Sequence, residues 1–184
     1  MAEESWNKGG IVTTRSIVGG AAVSESNPLP VGAGRTKVVA GSAIVVSTTA
    51  YAAGDVVGSR ITFAGAARAI DKTGLLQQVS VFCKSPQTAS LDLLLFHTDP
   101  TASTFTDNAA LALAVADFDK LVGVVHLGDW TNLGTPSLCQ ADNLAKPFAP
   151  AAGSADLYGV LVTRSVMTLA STSDVKVSAK ILQD

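Results

Sequence analysis

Charge is scarce in this sequence. Only 15% of its 184 residues are Asp, Glu, Lys or Arg, and the formal net charge is −2. The cationic footprint that nucleic-acid binding requires is therefore missing, as is a polybasic segment for an anionic membrane surface. No apolar run approaches the roughly 18 residues of a membrane span. The start, Met1-Ala-Glu-Glu-Ser-Trp6, is acidic and has no apolar core, so no secretory leader is expected and cytosolic synthesis is the default. Aromatic residues are held to 5%, which leaves few rings for stacking on sugars or bases.

Catalytic constellations are missing too. The two histidines, His97 and His126, fall at or within strand-like runs, with Asp92 and Asp99 near the first and Asp129 near the second. No H-x-H, H-x-x-E-H or C-x-x-C spacing accompanies them, as a metal centre would need, and no base–partner set marks a shared site. They read as ordinary strand-end histidines. Asp99, Asp107 and Asp117-Phe118-Asp119 offer oxygens without the alternating acids, central glycine and terminal glutamate of a calcium loop, and turn or capping roles explain them. Val31-Gly-Ala-Gly-Arg-Thr36 lacks the Gly-Lys-Ser/Thr ending of a phosphate loop, and there is no Gly-x-Ser-x-Gly elbow. Neither an enzyme nor a metal or cofactor site is expected. Cys83 continues the alternation Val79, Val81, Cys83 and reads as a small buried hydrophobe. Cysteine is limited to this residue and the distant Cys139, and a cytosolic origin favours free thiols over a bridge.

What the chain does have is apolar residues, at 47%, with a mean hydropathy of +0.35. Set against so little charge, that surplus points to burial between subunits as well as within one. Its distribution splits the chain. Residues 1–41 are punctuated by Gly9-Gly10, Gly19-Gly20, Gly32-Ala33-Gly34 and Pro28-Leu29-Pro30, too often for a stable helix or regular strand. Along this extended N-terminal arm, Trp6, Ile11, Val12, Ile17 and Val18 recur as apolar anchors, with Arg15 between them. Such a segment cannot offset its own ordering entropy in isolation. It gains order by lying across a partner, by adding a strand to a partner's sheet, or by packing back on its own domain. The first two uses make these six residues the candidate partner-binding set.

Residues 42–184 carry β-rhythm. Strands are expected over Ala43–Thr49, within Val56–Ala64, over Leu75–Lys84 and over Ser90–His97. The run Leu91-Asp-Leu-Leu-Leu-Phe96 is nearly continuous, so that strand should be central and covered on both faces. Ser85-Pro86-Gln87-Thr88 reads as the turn of a hairpin joining the last two. The rhythm breaks between Asp99 and Asp119, where a short helix over Ala116–Lys120 fits the acidic first turn. Strands resume over Leu121–Leu127, weakly near Trp130 and Leu138, then over Asp156–Val166 and Asp174–Leu182. In the last, Val175, Val177, Ala179 and Ile181 alternate with Lys176, Ser178 and Lys180. About eight short strands without helical crossovers predict an all-β fold, an antiparallel β-sandwich or jelly roll.

Several ordered blocks carry a family likeness. They are Thr49-Ala-Tyr-Ala-Ala-Gly-Asp-Val-Val-Gly58, Ile61-Thr-Phe-Ala64, Ala66-Ala-Arg-Ala69, Leu91–Phe96, Thr104-Phe-Thr-Asp-Asn-Ala109, Leu157-Tyr-Gly-Val-Leu-Val162 and Ser173–Asp184. Together they resemble a family of tailed-bacteriophage virion structural proteins, similar in design to head-decoration, or cement, proteins. The resemblance implies a β-sandwich, commonly trimeric, seated on the outside of the capsid with an arm reaching the major capsid protein. It implies no catalytic residue and no membrane or nucleic-acid partner. The competing reading is a receptor- or glycan-binding module of a tail or head fibre, for which Trp130 would be the stacking residue.

Overall fold

The computed structural model describes residues 34–184 and, ahead of them, two short strands, β1 (Ile17–Val18) and β2 (Ala21–Ala22). The chain divides between Ala33 and Gly34 into two units. In the first, β1 and β2 pair antiparallel, Ile17 with Ala22 and Val18 with Ala21. The residues between them in sequence are Gly19-Gly20, the composition a two-residue hairpin connection favours.

The second unit holds β3 (Arg35–Ala40), β4 (Ile61–Phe63), β5 (Gly74–Cys83), β6 (Leu91–Phe96), the single-turn α1 (Val115–Phe118), β7 (Leu121–Leu127), β8 (Trp130–Asn132), β9 (Ser137–Ala141), β10 (Lys146–Phe148), β11 (Leu157–Thr163) and β12 (Val175–Gln183). The larger sheet runs β3-β12-β5-β9-β8, with β10 continuing along the same side of β5 as β9; the smaller runs β4-β11-β6-β7. Every pairing is antiparallel. Setting aside the short β8 and β10, the eight remaining strands give the orders first-eighth-third-sixth and second-seventh-fourth-fifth. That interleaving of two Greek keys is a jelly roll.

The inner faces meet in one core. Val79, Val81, Cys83, Cys139, Val177, Ala179 and Ile181 of the larger sheet pack with Ile61, Phe63, Leu91, Leu93, Leu95 and Leu161 of the smaller. A second core lies on the outer side of the smaller sheet. There Leu94, Phe96, Val160 and Val162 are covered by Val56 and by Phe105, Leu111 and Leu113 of the β6–β7 connection. All six residues of β6 are buried, Asp92 included, as its nearly continuous apolar run predicts.

Three sequence expectations are corrected. The hairpin between Leu75–Lys84 and Ser90–His97 does not form, because β5 and β6 belong to different sheets. Both edges of β5 are occupied, by β12 on one side and by β9 and β10 on the other, while β6 pairs with β11 and β7. The short link through Pro86 crosses from one sheet to the other, held by Gln87 Nε2 donating to the Thr168 carbonyl at 2.9 Å. Ala43–Thr49 is not a regular strand; Ile44 and Val46 turn into the core, but its backbone finds little more of a ladder than Val46 N–H to the Thr172 carbonyl. Finally, the β-domain begins at Gly34 rather than Ser42. Arg35–Ala40 pairs along β12 from Gln183 to Ser178, so it is an edge strand of the larger sheet rather than arm. Its charged residues, Arg35 and Lys37, alternate with Thr36 and Val38 and disguise it as a polar leader.

Candidate interaction surfaces

Of the predicted partner-binding set, Ile17 and Val18 form β1, while Trp6, Ile11, Val12 and Arg15 lie outside the described residues.

Several buried polar residues act as fasteners. Tyr51 is 1% exposed. Its hydroxyl accepts from the Ser47 N–H and donates to Asp107 Oδ1, each at 2.7 Å. The same carboxylate oxygen accepts from the Gly58 N–H at 2.6 Å. Gly58 sits at φ +79° with Ile44 Cβ 2.9 Å from where its own Cβ would be, so both conformation and space demand glycine there. Burial, and then the bond to Asp107, push the Tyr51 phenol well above its usual range. Backbone bonds from Val56 N–H to Ala109 and from Asn108 N–H to Val56 complete the join. Thr49–Gly58 and Thr104–Ala109, two of the blocks carrying the family likeness, are thus two halves of one fastening.

Asp117 is fully buried within α1. Lys120 Nζ donates to its Oδ1 at 2.7 Å and Ser103 Oγ to its Oδ2 at 2.6 Å, while Lys120 also reaches the Asp99 carbonyl at 2.9 Å. Burial raises the carboxyl pKa, but the bonds from Lys120, Ser103 and the Ala102 backbone outweigh it and hold it below the ordinary range. With both oxygens occupied, Asp117 serves the fold rather than a cation. Arg60 pairs with Asp99 and lies 5.5 Å over the Tyr158 ring, tying the same connection to β11. Asp174 closes the other end, accepting from Ser85 Oγ at 2.6 Å and the Ala170 N–H at 2.8 Å. No buried side-chain nitrogen or oxygen among the described residues lacks a partner.

The histidines divide. His97 Nδ1 bonds to Thr98 Oγ1 at 2.9 Å at the end of β6. His126 is joined not to neighbouring Asp129 but to Asp92, its register partner across β6 and β7, at 2.6 Å. Asp92 Oδ2 accepts from Arg164 Nε at 2.5 Å. Burial of Asp92 is again outweighed, by His126 and Arg164, and its pKa falls. The sequence signal was there: each residue is the one ionisable interruption of an apolar strand, and both outward positions fall at the same end of the smaller sheet. The cleft they line also takes in Ser90 and Asp129 and holds about 470 Å³.

Trp130 does not stand free in a loop. It lies in β8, packs partly buried against the main core, and its indole N–H donates to the Ala89 carbonyl at 2.7 Å. Cys83 and Cys139 are buried free thiols. Val81 faces Cys139 and Cys83 faces Ser137, so the cysteines are diagonal neighbours, at a separation of about 7–8 Å that exceeds normal disulfide reach. Burial pushes both thiols up, Cys139 to about 11.

Separate from the exposed Val115 and Phe118 of α1, the outer face of the larger sheet is a further exposed surface. Val38 is 66% exposed and Phe82 45% exposed there, and Lys176, Lys180 and Gln140 stand beside them in solvent.

No family model and no curated protein matches the sequence. Among solved structures, the chain is similar to one in the structure of a marine algae virus of the order Picornavirales, with 14% identity and a TM-score of 0.26, over 100% of this chain and 83% of that one. A superposition that loose assigns no role to the chain.

Proposed function

We propose that the protein is a non-enzymatic structural component of a virion, a decoration or cement protein of a tailed-bacteriophage head. It binds the outer surface of the major capsid protein lattice as a trimer and stabilises the head by adding many modest contacts across the shell. It is made in the bacterial cytosol, ends on the capsid exterior and uses no cofactor. The observation that carries this reading is where the polar groups go. Tyr51, Asp107, Asp117 and Asp174 are spent on holding a double-cored jelly roll together, and what is left for work is surface. The blocks that resemble phage virion proteins are strands and fasteners of this domain, so the likeness supports a shared scaffold. Because a jelly roll serves many functions, the arm and the exposed sheet face carry the specificity.

The test compares the full chain with a version beginning at Gly34, on heads of the source phage from which this protein has been stripped. The truncated chain should remain folded by circular dichroism and lose most capsid occupancy, read by cosedimentation. Undiminished occupancy removes the arm from the mechanism, and a full chain that never binds heads removes the decoration role. Light scattering on the full chain should return three times the monomer mass.

A further inference from the structure

Resting on the decoration reading, we propose that the outer face of the larger sheet is the face that docks, and that its occupant is an acidic, partly apolar surface of the capsid subunit rather than a second copy of this chain. The five adjacent strands β3, β12, β5, β9 and β8 place one row of side chains outward. Across the middle, Val38 stands beside Lys180 and Gln78, and Ala40 beside Ser178, Ser80 and Gln140. One further row sets Lys176, Phe82, Leu138 and Thr131 side by side. At these outward strand positions the only charges are the two lysines. No carboxylate accompanies them, although acidic residues outnumber basic ones, 15 to 13, in the chain as a whole. Asp142, in the loop beyond β9, is exposed at the border and shares a cleft with Lys180 and Gln78.

Three physical points select the occupant. A face whose strand positions carry cations and no anions, laid on a copy of itself, brings lysine toward lysine with only Asp142 at its border to offset them, and like-charge juxtaposition across an interface is costly. An acidic surface supplies the missing sign and draws the approach over about a Debye length. Size comes close. The five strands hold 6, 9, 10, 5 and 3 residues, which at about 3.4 Å per residue and 4.8 Å between strands span roughly 500–550 Å², against about 800 Å² per partner in a stable interface of standard size. Composition agrees as well. Short Ser, Ala and Thr side chains keep much of the face flat, and Phe82 projects as an aromatic anchor of the kind that dominates binding energy in such patches, with Val38 adding apolar area beside Lys180. Lys176 and Lys180 set orientation and rate.

Two variants test this on the stripped heads, each checked first for an unchanged melting temperature. K176E/K180E should lower affinity at least about tenfold, and raising NaCl from about 50 to 500 mM should weaken wild-type binding but act much less on this variant. F82S should lower affinity about tenfold or more at all salt concentrations. Wild-type binding that both variants retain in full overturns the assignment of this face while leaving the decoration role intact. Failure of the wild type to bind heads overturns both. Sedimentation velocity decides between occupants: if either variant dissociates the trimer in solution, the face is a contact between copies and the acidic capsid surface is rejected.

Discussion

The two sheets of the jelly roll are built from similar strands and end in opposite situations. The smaller is buried on both sides, with the interior core beneath it and a second core above, roofed by the connection from β6 to β7. The larger is buried on one side only; its other side presents Phe82, Val38 and two lysines to solvent. The difference locates energy and function in different places. Apolar residues outside the smaller sheet contribute to folding. Those outside the larger contribute little to the isolated chain and gain value only when something covers them.

The sharpest way to break this comparison is to make one substitution on each sheet. Phe96, on the roofed face, is wholly buried with the Phe105 ring centroid 6.3 Å away. Phe96→Ala should cost about 3–5 kcal/mol by urea denaturation. Phe82→Ala, on the bare face, should cost about 0.5 kcal/mol or less. Equal losses would mean that the larger sheet is covered in the free protein, and the contrast between the sheets would collapse.

Below that in size comes the fastening under the roof. Tyr51→Phe keeps the ring and removes the hydroxyl, leaving the Ser47 N–H without its acceptor and Asp107 without one donor. A loss of about 1–3 kcal/mol is expected. If it is real and local, hydrogen exchange should quicken around residues 104–110 and not in β12.

How far the sequence foretold this contrast can be argued strand by strand. In β12 the alternation of Val175, Val177, Ala179 and Ile181 with Lys176, Ser178 and Lys180 states a one-sided burial, and the structure has it so. In β6 the run through Leu93-Leu94-Leu95-Phe96 states a two-sided one, also found. Sheet membership was not legible. Seven residues of connection between β5 and β6 suit a hairpin and a sheet-to-sheet crossing equally, and the choice is made by β9, β10 and β12, which take both edges of β5. The strand β3 was missed because an edge strand tolerates Arg35 and Lys37 among its residues. The Asp92–His126–Arg164 group was missed because Asp92 and His126 meet through register across β6 and β7 while Arg164 joins from just beyond β11, and nearness in sequence suggested Asp129 instead.

That group gives the next effect. Asp92 sits at the uncovered end of the smaller sheet, and its partners are solvent-exposed, the His126 side chain 81% and that of Arg164 45%. Asp92→Asn should therefore cost only about 1 kcal/mol or less at neutral pH. The native pKa of Asp92 is depressed, so its contribution is fully present above the ordinary carboxylate value of 3.8 and disappears as pH falls through the lower native value. Asp117 and Asp174 are depressed in the same sense. Wild-type stability should fall below about pH 3.8, and the gap between wild type and Asp92→Asn should close there. A gap that stays constant from pH 7 to that range would show that the ion pairing is not its source.

The last effect concerns the border of the bare sheet, and it should have the opposite sign. The link between β9 and β10 holds two non-glycine residues in the left-handed region, Asn143 at φ 55° and Ala145 at φ 45°. Asparagine tolerates that region because its short side chain bonds locally; alanine has no such compensation. The conformation is imposed by what surrounds it: Leu144 between them packs against the core and its N–H donates to the Gln77 carbonyl at 3.0 Å, at the bulge where Gln77 is the extra residue of β5. Ala145→Gly relieves the strain in the native state and loosens the unfolded chain, two terms of opposite sign. Since a left-handed alanine costs about 1–2 kcal/mol and the added unfolded-state freedom about 0.4–1 kcal/mol, a net gain between about 0 and 1.6 kcal/mol is expected in thermal unfolding. Ala145 is exposed beside the cleft that Lys180 and Gln78 line. Full capsid binding by the stabilised variant would separate strain at this border from the docking chemistry of the face, and impaired binding would make the kinked link part of the surface that the partner reads.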